Sequence, residues 1–540
     1  MIKNCKIDWD YEFDVIIVGF GGAGGCAAIE AKDAGVDVVL LEKQREDHHY
    51  SNTRMSGGGY HSPDPDGDRN ALKEYAKAMF SGENIPWIFE GAQEEYSDGL
   101  AELWAEYAPQ NRSFMCSLDP EYMSDFIGRA AYPNFPGAAE SGYRLAGSNY
   151  DRNAGIAGMP MPGNQSSPTS PKHLKAGGEA FHACILNGVN TRQIPIHYNT
   201  RAIKLIHNEE NVLVGVMAKH GDKELYYHAK KAVIITSGGF EYNKSLRSAF
   251  LEGHGGDGWA FYGSSDNTGD GIIMGLASGA ALSKVTSAAA RLITSFPDLR
   301  ANGVRIGISI PSIGRECAIV VDNFGRRFID ERDNSRDPLQ YINYKNALAF
   351  DTHQALYPRI PSWFIFDETL RTRKSITNSV LSHYYDIPWS SDNHEPIERG
   401  WILKADSIEE LAKKIKAHPD NHELMDIGNL CQTVVRFNEF CAIGEDLDFH
   451  REIETLKPID NPPYYALPLF PGGPNTKGGL KANEKRQVVD WAGKVIPRLY
   501  AAGEIASAFK YVYQAGGNVA ECIVFGRIAG LNAAKENSII

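Results

Sequence analysis

Residues 11–43 read YEFDVIIVGFGGAGGCAAIEAKDAGVDVVLLEK, a stretch that leaves the chain little choice of fold. An apolar run from Val15 to Val18 predicts a buried strand. The glycines turn the chain, Ala23 to Asp33 suits a helix, and DVVLLE gives a second strand. This order is a β-α-β unit. Gly19, Gly21 and Gly24 fit G-x-G-x-x-G: the first permits a tight turn, the second lets a pyrophosphate approach the backbone, and the third lets helix and strand pack closely. The phosphate then meets the positive end of the helix, where Gly22 and Ala23 lie. Glu42 closes the second strand about 20 residues further on, where an acid accepts hydrogen bonds from both ribose hydroxyls and disfavours a 2'-phosphate.

The 540-residue chain exceeds what one core ordinarily organises, so two domains, or one large domain with an insertion, are expected. A hydrophobic fraction of 43% and a charged fraction of 23% fit a soluble globular protein. The net charge of -13 repels nucleic-acid backbone and anionic lipid, and no Lys/Arg cluster offers a local exception, which excludes nucleic acid as a partner. No apolar run approaches a membrane span. The first residues lack a basic segment followed by a long apolar one, so no secretory signal is read. Eight cysteines without a CxxC pair fit reduced thiols in a cytoplasmic protein and no metal site.

Nucleotide-like patterns return far downstream. KKAVIITSGGFEYN holds a buried strand, Val233 to Thr236, ending on Gly238 and Gly239. KVIPRLYAAGEIAS sets a strand before Gly503 and Glu504, and KYVYQAGGNVAECIVFGRIAG follows from residue 510. Separated segments meeting one long ligand point to FAD. In the last of them, Gly516 and Gly517 let backbone N–H groups approach a ligand, Asn518 is a good N-cap, and an amphipathic helix then buries Val519, Ile523 and Ile528. Its positive end is expected to face the flavin, stabilising the reduced anion by roughly 0.3 to 2 kcal/mol.

The ordered set VIIVGFGGAGGCAA, NTRMSGGG, ITSGGFEYN, NTGDGIIMGLASGAAL, IVVDNFGRRFIDE, NTKGGL, IPRLYAAGE and AGGNVAECIVFGRIAG resembles the FAD-dependent fumarate reductase/3-ketosteroid dehydrogenase superfamily over nearly the whole chain. The resemblance implies an α/β protein: a Rossmann-type, glutathione-reductase-like FAD-binding domain (1–285 and 465–540) with an inserted α+β capping domain (286–464). It assigns Glu42 to the adenosine ribose, and Ser51, Asn52, Thr53, Ser56, Gly57 and Gly58 to a loop along the flavin. Glu504 becomes the ribityl ligand, and Lys43, Ala202 and Asp270 further cofactor contacts. Members with covalent flavin carry a His where Ser51 stands, so noncovalent FAD is implied, with His48 and His49 close by.

The departures from the family's pattern bear on the substrate. Fumarate reductases grip a dicarboxylate with a His where Asn475 stands and an Arg where Gln514 stands. A charge-assisted bond to carboxylate is worth about 1.5 to 3 kcal/mol, so losing two argues against fumarate. Arg336 falls one residue out of register with the family's proton-delivering Arg, either as a displaced acid or as a surface residue. Tyr513 falls where the 3-ketosteroid 4-ene dehydrogenases carry a catalytic Tyr, with Ala515 in place of their Ser; Tyr511 would share its side of an extended segment. RAAYPNFPGA resembles a 1-ene dehydrogenase active-site stretch, bringing Tyr132 and Phe135 to the substrate pocket, or else it is an aromatic loop packed under the cap.

Making or breaking a C=C bond beside a ketone moves a hydride between carbon and flavin N5 while an enolate develops on oxygen. A phenol can donate to that oxygen, or exchange the alpha proton if its pKa is lowered, and Gly516 or Gly517 would add an N–H donor. The expectation is an FAD oxidoreductase acting on an apolar cyclic ketone or enone such as a 3-oxosteroid, with a separate electron donor or acceptor. The alternatives are an enoate reductase using Arg336, a flavin oxidase or hydroxylase, and a non-catalytic flavin-binding subunit.

Overall fold

The computed structural model describes residues 7–81, 97–128, 131–146, 177–335, 341–377, 385–509 and 512–539. The strand Tyr11–Val18 is exposed at its start and buried from Val15 onward, as its apolar run requires. It pairs in parallel with Val38–Leu41 on one side and Lys223–Ile235 on the other. Val495–Ala501 extends the parallel set beyond Lys223–Ile235, and Ile196–His197 extends it beyond Val38–Leu41. Antiparallel strands Thr200–His207, Leu213–His220 and Gln487–Val489 complete eight strands. Because the central strands run the same way, the residues that follow them, at Gly19, Glu42, Thr236 and Gly503, emerge along one edge, where open parallel sheets bind ligands.

Two helices lock behind that edge. Gly22–Asp33 crosses Gly517–Ala534 at close range: a Cβ at Gly526 would sit 2.7 Å from the Ala23 carbonyl oxygen, and one at Gly530 would overlap that of Ala27. The C-terminal helix buries Val519, Ile523 and Ile528 as expected, but it is not amphipathic. Glu521, Phe525 and Ala529 are buried too, since the helix is enclosed by the sheet, the first helix and the strand that follows the cap.

A second sheet is built on the long strand Tyr464–Leu480. It runs antiparallel to Leu282–Thr294, Ser362–Asp367 and Leu403–Ala405, with Ala318–Val321 beyond Ser362–Asp367. Ile408–Lys416 and Ile427–Ile443 cover it through Leu411, Ile415, Leu430, Val434 and Phe437. The predicted strand ECAIVVDN and helix SIEELAKKIKAH both form here, the helix capped by Ser407, whose hydroxyl accepts the Glu410 N–H at 3.2 Å. The cut at 285/286 falls inside Leu282–Thr294 and the one at 464/465 inside Tyr464–Leu480. These strands pair with each other from Leu282 opposite Leu480 to Thr294 opposite Leu469. Among the described residues no helix is long and apolar enough to cross a membrane, and no group of acidic, His and Cys side chains could hold a metal.

Candidate active site

A cavity of about 600 Å³ opens along the carboxyl edge of the parallel strands. Its wall brings together Gly19, Gly21, Gly22, Ala23, Glu42, Lys43, Ser51, Asn52, Thr53, Ser56, Gly57, Ala202, Gly238, Asp270, Asn475, Gly503, Glu504, Tyr513, Gly516, Asn518 and Val519. Gly24, Gly58, Gly239, Gly517, Gln514, Tyr132 and Phe135 are not on it. Tyr511 and Arg336 lie outside the described residues.

The three motif glycines differ in what surrounds them. Gly19 has φ +101°, and a Cβ there would meet the Thr236 carbonyl oxygen at 2.7 Å. At Gly24 a Cβ would overlap the Gly19 carbonyl, which is the close packing of helix on strand. At Gly21 it would meet nothing nearer than Thr53 Oγ1 at 3.7 Å, so the open space above Gly21 belongs to the cavity. The Gly22 N–H donates to Thr53 Oγ1 at 2.9 Å. Glu42 accepts from the Phe20 and Gln44 N–H groups, each at 2.8 Å, and has His49 Nε2 at 3.6 Å. Burial works to raise its pKa, but His49 and these amides outweigh burial and hold the carboxyl below its ordinary value. Lys43 and Asp270 form an ion pair at 3.1 Å, which Arg201 joins at 2.7 Å.

Ser51 caps the short helix Asn52–Met55, accepting from the Arg54 N–H at 3.3 Å. Gly58 and Gly239 serve packing rather than the wall. A side chain at Gly58 would overlap the Gly177 backbone, and one at Gly239 would overlap Glu504, Thr476 and Glu241.

At the mouth of the C-terminal helix the predicted cap is displaced. Gly516, with φ +81°, is the N-cap, and the helix begins at Gly517, whose N–H bonds the Gln514 carbonyl at 3.1 Å. Asn518 is therefore inside the first turn. Its Nδ2 donates to Asn475 Oδ1 at 2.6 Å, while its own Oδ1 is buried with no protein partner. Gln514 is turned away from the cavity: its Oε1 accepts from the Tyr75 hydroxyl, and its Nε2 lies 2.7 Å from His61 Nε2. Burial pushes His61 down to about 4, so the ring is neutral. Tyr132 and Phe135 stack at 5.0 Å, and the Tyr132 hydroxyl donates to the Tyr513 carbonyl at 3.2 Å. This loop thus backs the Tyr513 backbone instead of lining a substrate pocket. Neighbouring side chains in the segment leading to the helix face opposite ways, so with Tyr513 on the wall, Gln514 is carried behind it.

Tyr513 is buried and shares its wall with Tyr341, one of the aromatics of the middle region, and with residues that the sequence reading missed: Tyr143, Tyr262 and Arg291. Tyr341 stands edge-on to Tyr513 at 4.9 Å. Lys477 lies behind, its ammonium 4.8 Å from the Tyr513 ring centre and 2.9 Å from Glu521. Burial, then the Tyr341 and Tyr143 phenols, raise the Tyr513 pKa well above its usual value. The neutral phenol is a hydrogen-bond donor, and the lowered pKa needed for proton exchange is not what its surroundings produce. Arg291 is buried on Leu282–Thr294, with Nη2 3.4 Å from the Tyr262 hydroxyl and its guanidinium 5.7 Å from the Tyr341 ring centre. The signal that could have found it is a lone charge in the otherwise uncharged run TSAAARLITS.

A family description, FAD binding domain, matches residues 14–519. The chain belongs to the FAD binding domain family. Within this family it is similar to a 3-oxosteroid 1-dehydrogenase of Mycobacterium tuberculosis (strain ATCC 25618 / H37Rv), at 25% identity over 97% of this chain and 99% of that one. It is also similar to a fumarate reductase (cytochrome) of Shewanella frigidimarina, at 26% identity over 97% of this chain and 77% of that one. The crystal structure of 3-ketosteroid delta1-dehydrogenase from Sterolibacterium denitrificans superposes with a TM-score of 0.77, at 23% identity, covering 97% and 99% of the two chains. The fold is accordingly an FAD-binding α/β domain with a capping domain, and the protein is an FAD-dependent oxidoreductase. The wall fits that cofactor: an open face at Gly21 for the pyrophosphate, a buried acid at Glu42, and a buried acceptor, Asn518 Oδ1, awaiting a donor.

The glycine geometry separates two variants. Gly24→Ala is expected to lower apoprotein stability by about 1–3 kcal/mol through overpacking, measured by urea unfolding. Gly21→Ala should leave apoprotein stability near wild type while weakening FAD binding, read by quenching of flavin fluorescence.

Proposed function

We propose that this FAD binding domain protein interconverts a C–C single and double bond beside a carbonyl, on a flat, largely apolar cyclic ketone such as a 3-oxosteroid. The observation that carries the reading is Tyr513, a neutral phenol on the cavity wall beside the mouth of the C-terminal helix and ringed by other phenols. FAD supplies the hydride acceptor or donor when bound. Tyr513 donates a hydrogen bond to the carbonyl oxygen as negative charge develops there. Gly517 has given its N–H to Gln514, so Gly516, on the wall and at the positive end of the helix, is the second donor in this reading. Asn475 and Gln514 leave no charged pair to clamp a dicarboxylate.

Residues 286–464 act as the cap over the substrate, and a separate protein or small molecule exchanges electrons with the enzyme. A cytoplasmic location agrees with seven free cysteines among the described residues. FAD is held noncovalently: His48 is three-quarters exposed, and His49 stacks on Phe20 at 5.3 Å beside Glu42, at the ribose end of the cavity.

A second reading, an enoate reductase acting on an acrylate-type acid, is favoured by Arg291, whose buried guanidinium on the same wall matches a carboxylate. Anaerobic titration of the flavin absorbance with ring ketones, ring enones and acrylates distinguishes them. Bleaching by 3-oxosteroids, or recolouring of reduced enzyme by their enones, is the expected result; turnover of acrylates alone rejects the ketone. Tyr513→Phe keeps the ring and is expected to lower kcat by about 10²-fold or more with FAD retained. Unchanged turnover removes Tyr513 from the mechanism.

A further inference from the structure

Glu241 and Glu504 come from different strand ends and meet at the cavity. Glu241 follows Lys223–Ile235 and is fully buried; Glu504 follows Val495–Ala501 and lies on the wall. Asn52 Nδ2 donates to Glu241 Oε1 at 2.9 Å and to Glu504 Oε2 at 3.1 Å, and Asn267 Nδ2 donates to Glu241 Oε1 at 2.9 Å. The remaining oxygens share one partner: Thr476 Oγ1 is 3.1 Å from Glu241 Oε2 and 3.3 Å from Glu504 Oε1.

A hydroxyl has a single hydrogen, and this one already accepts the Phe240 N–H at 3.2 Å. It can therefore donate to one of the two carboxyl oxygens, and the other contact is satisfied when the acid itself carries a proton. We propose that Glu241 and Glu504 form one acid site that holds a single proton between them at neutral pH, facing the polyol part of FAD.

The surroundings agree. Among the described residues neither carboxyl has a Lys or Arg within ion-pair distance. Lys477, on Tyr464–Leu480, is paired with Glu521, and Arg247 donates to the backbone oxygen of Glu241. The other titratable groups facing the pair are Cys522 on the C-terminal helix, beside Glu504, and Tyr242 and Tyr385, beside Glu241. Burial, then the Glu241 carboxyl, raise Glu504 well above the ordinary carboxylate value, and burial raises Glu241 as well. Two carboxylates this close cannot both ionise cheaply. Overlap with these carboxyls is also what excludes a side chain at position 239.

The inference rests on FAD lying in this cavity and is independent of the substrate. The folded pair keeps its proton to higher pH than unfolded glutamates do, so its contribution to stability is full below the ordinary Glu pKa of about 4.3 and is lost as pH rises towards the raised folded value. Infrared spectra of the purified holoenzyme at neutral pH, taken in light and heavy water, are expected to show a protonated-carboxyl band that disappears in Glu241→Gln and in Glu504→Gln. The Tm of apoprotein should fall less between pH 5 and pH 8 in Glu241→Gln than in wild type. If either variant fails to fold, the other supplies the difference spectrum. Difference spectra without a protonated carboxyl, together with parallel Tm profiles, overturn the proposal.

Discussion

Parallel pairing of Tyr11–Val18 with Val38–Leu41 and Lys223–Ile235, and of Lys223–Ile235 with Val495–Ala501, determines where the cavity opens. Each strand delivers its following residue to the same edge, so Gly19, Glu42, Thr236 and Glu504 meet on one cavity wall although they come from distant parts of the chain. Register matters as much as direction. A slip of one residue would turn each inward side chain outward, and Gly19 would no longer abut Thr236. The close crossing of Gly22–Asp33 and Gly517–Ala534 adds the remaining component, because it fixes the end of the second helix against the first.

Charge is handled differently at the two ends of the cavity. At one end, Glu42 is kept ionised by two backbone amides and a histidine, and Asp270 pairs with both Lys43 and Arg201. Around Tyr513 the phenols are uncharged, and the nearest buried ammonium, Lys477, has its own carboxylate in Glu521. Removing one member of such a buried pair typically costs 3–5 kcal/mol. Lys477 therefore reads first as a support for the Tyr513 and Phe509 rings that it covers. Arg291 is a further buried charge on the same wall, and it is the residue whose chemistry most separates a ketone from an acid.

Backbone requirements were legible in the sequence. Gly19, Gly21 and Gly24 have distinct steric duties that spacing alone assigns, and Glu42 follows from the length of the β-α-β unit. The strand Ala318–Val321 and helix Ile408–Lys416 followed from their periodicity. Side-chain direction was not legible where the chain is irregular. Tyr513 and Gln514 are adjacent and face opposite ways, and which of them meets the cavity is set by how the segment packs before the helix. Asn518 has the chemistry of a cap but stands two positions late, because a glycine took that role. Arg291 is brought to the cavity wall on Leu282–Thr294, a strand held by its tertiary pairing with Tyr464–Leu480, a relation that no local pattern encodes.

That same pairing has a mechanical consequence. Tyr464–Leu480 runs for 17 residues, paired from Leu469 to Leu480 with Leu282–Thr294 and from Tyr464 to Leu469 with Ser362–Asp367. Strands joined in this way cannot be drawn apart without rupturing a row of interstrand bonds, so the two stretches that the sequence reading divides move as neighbours in one sheet.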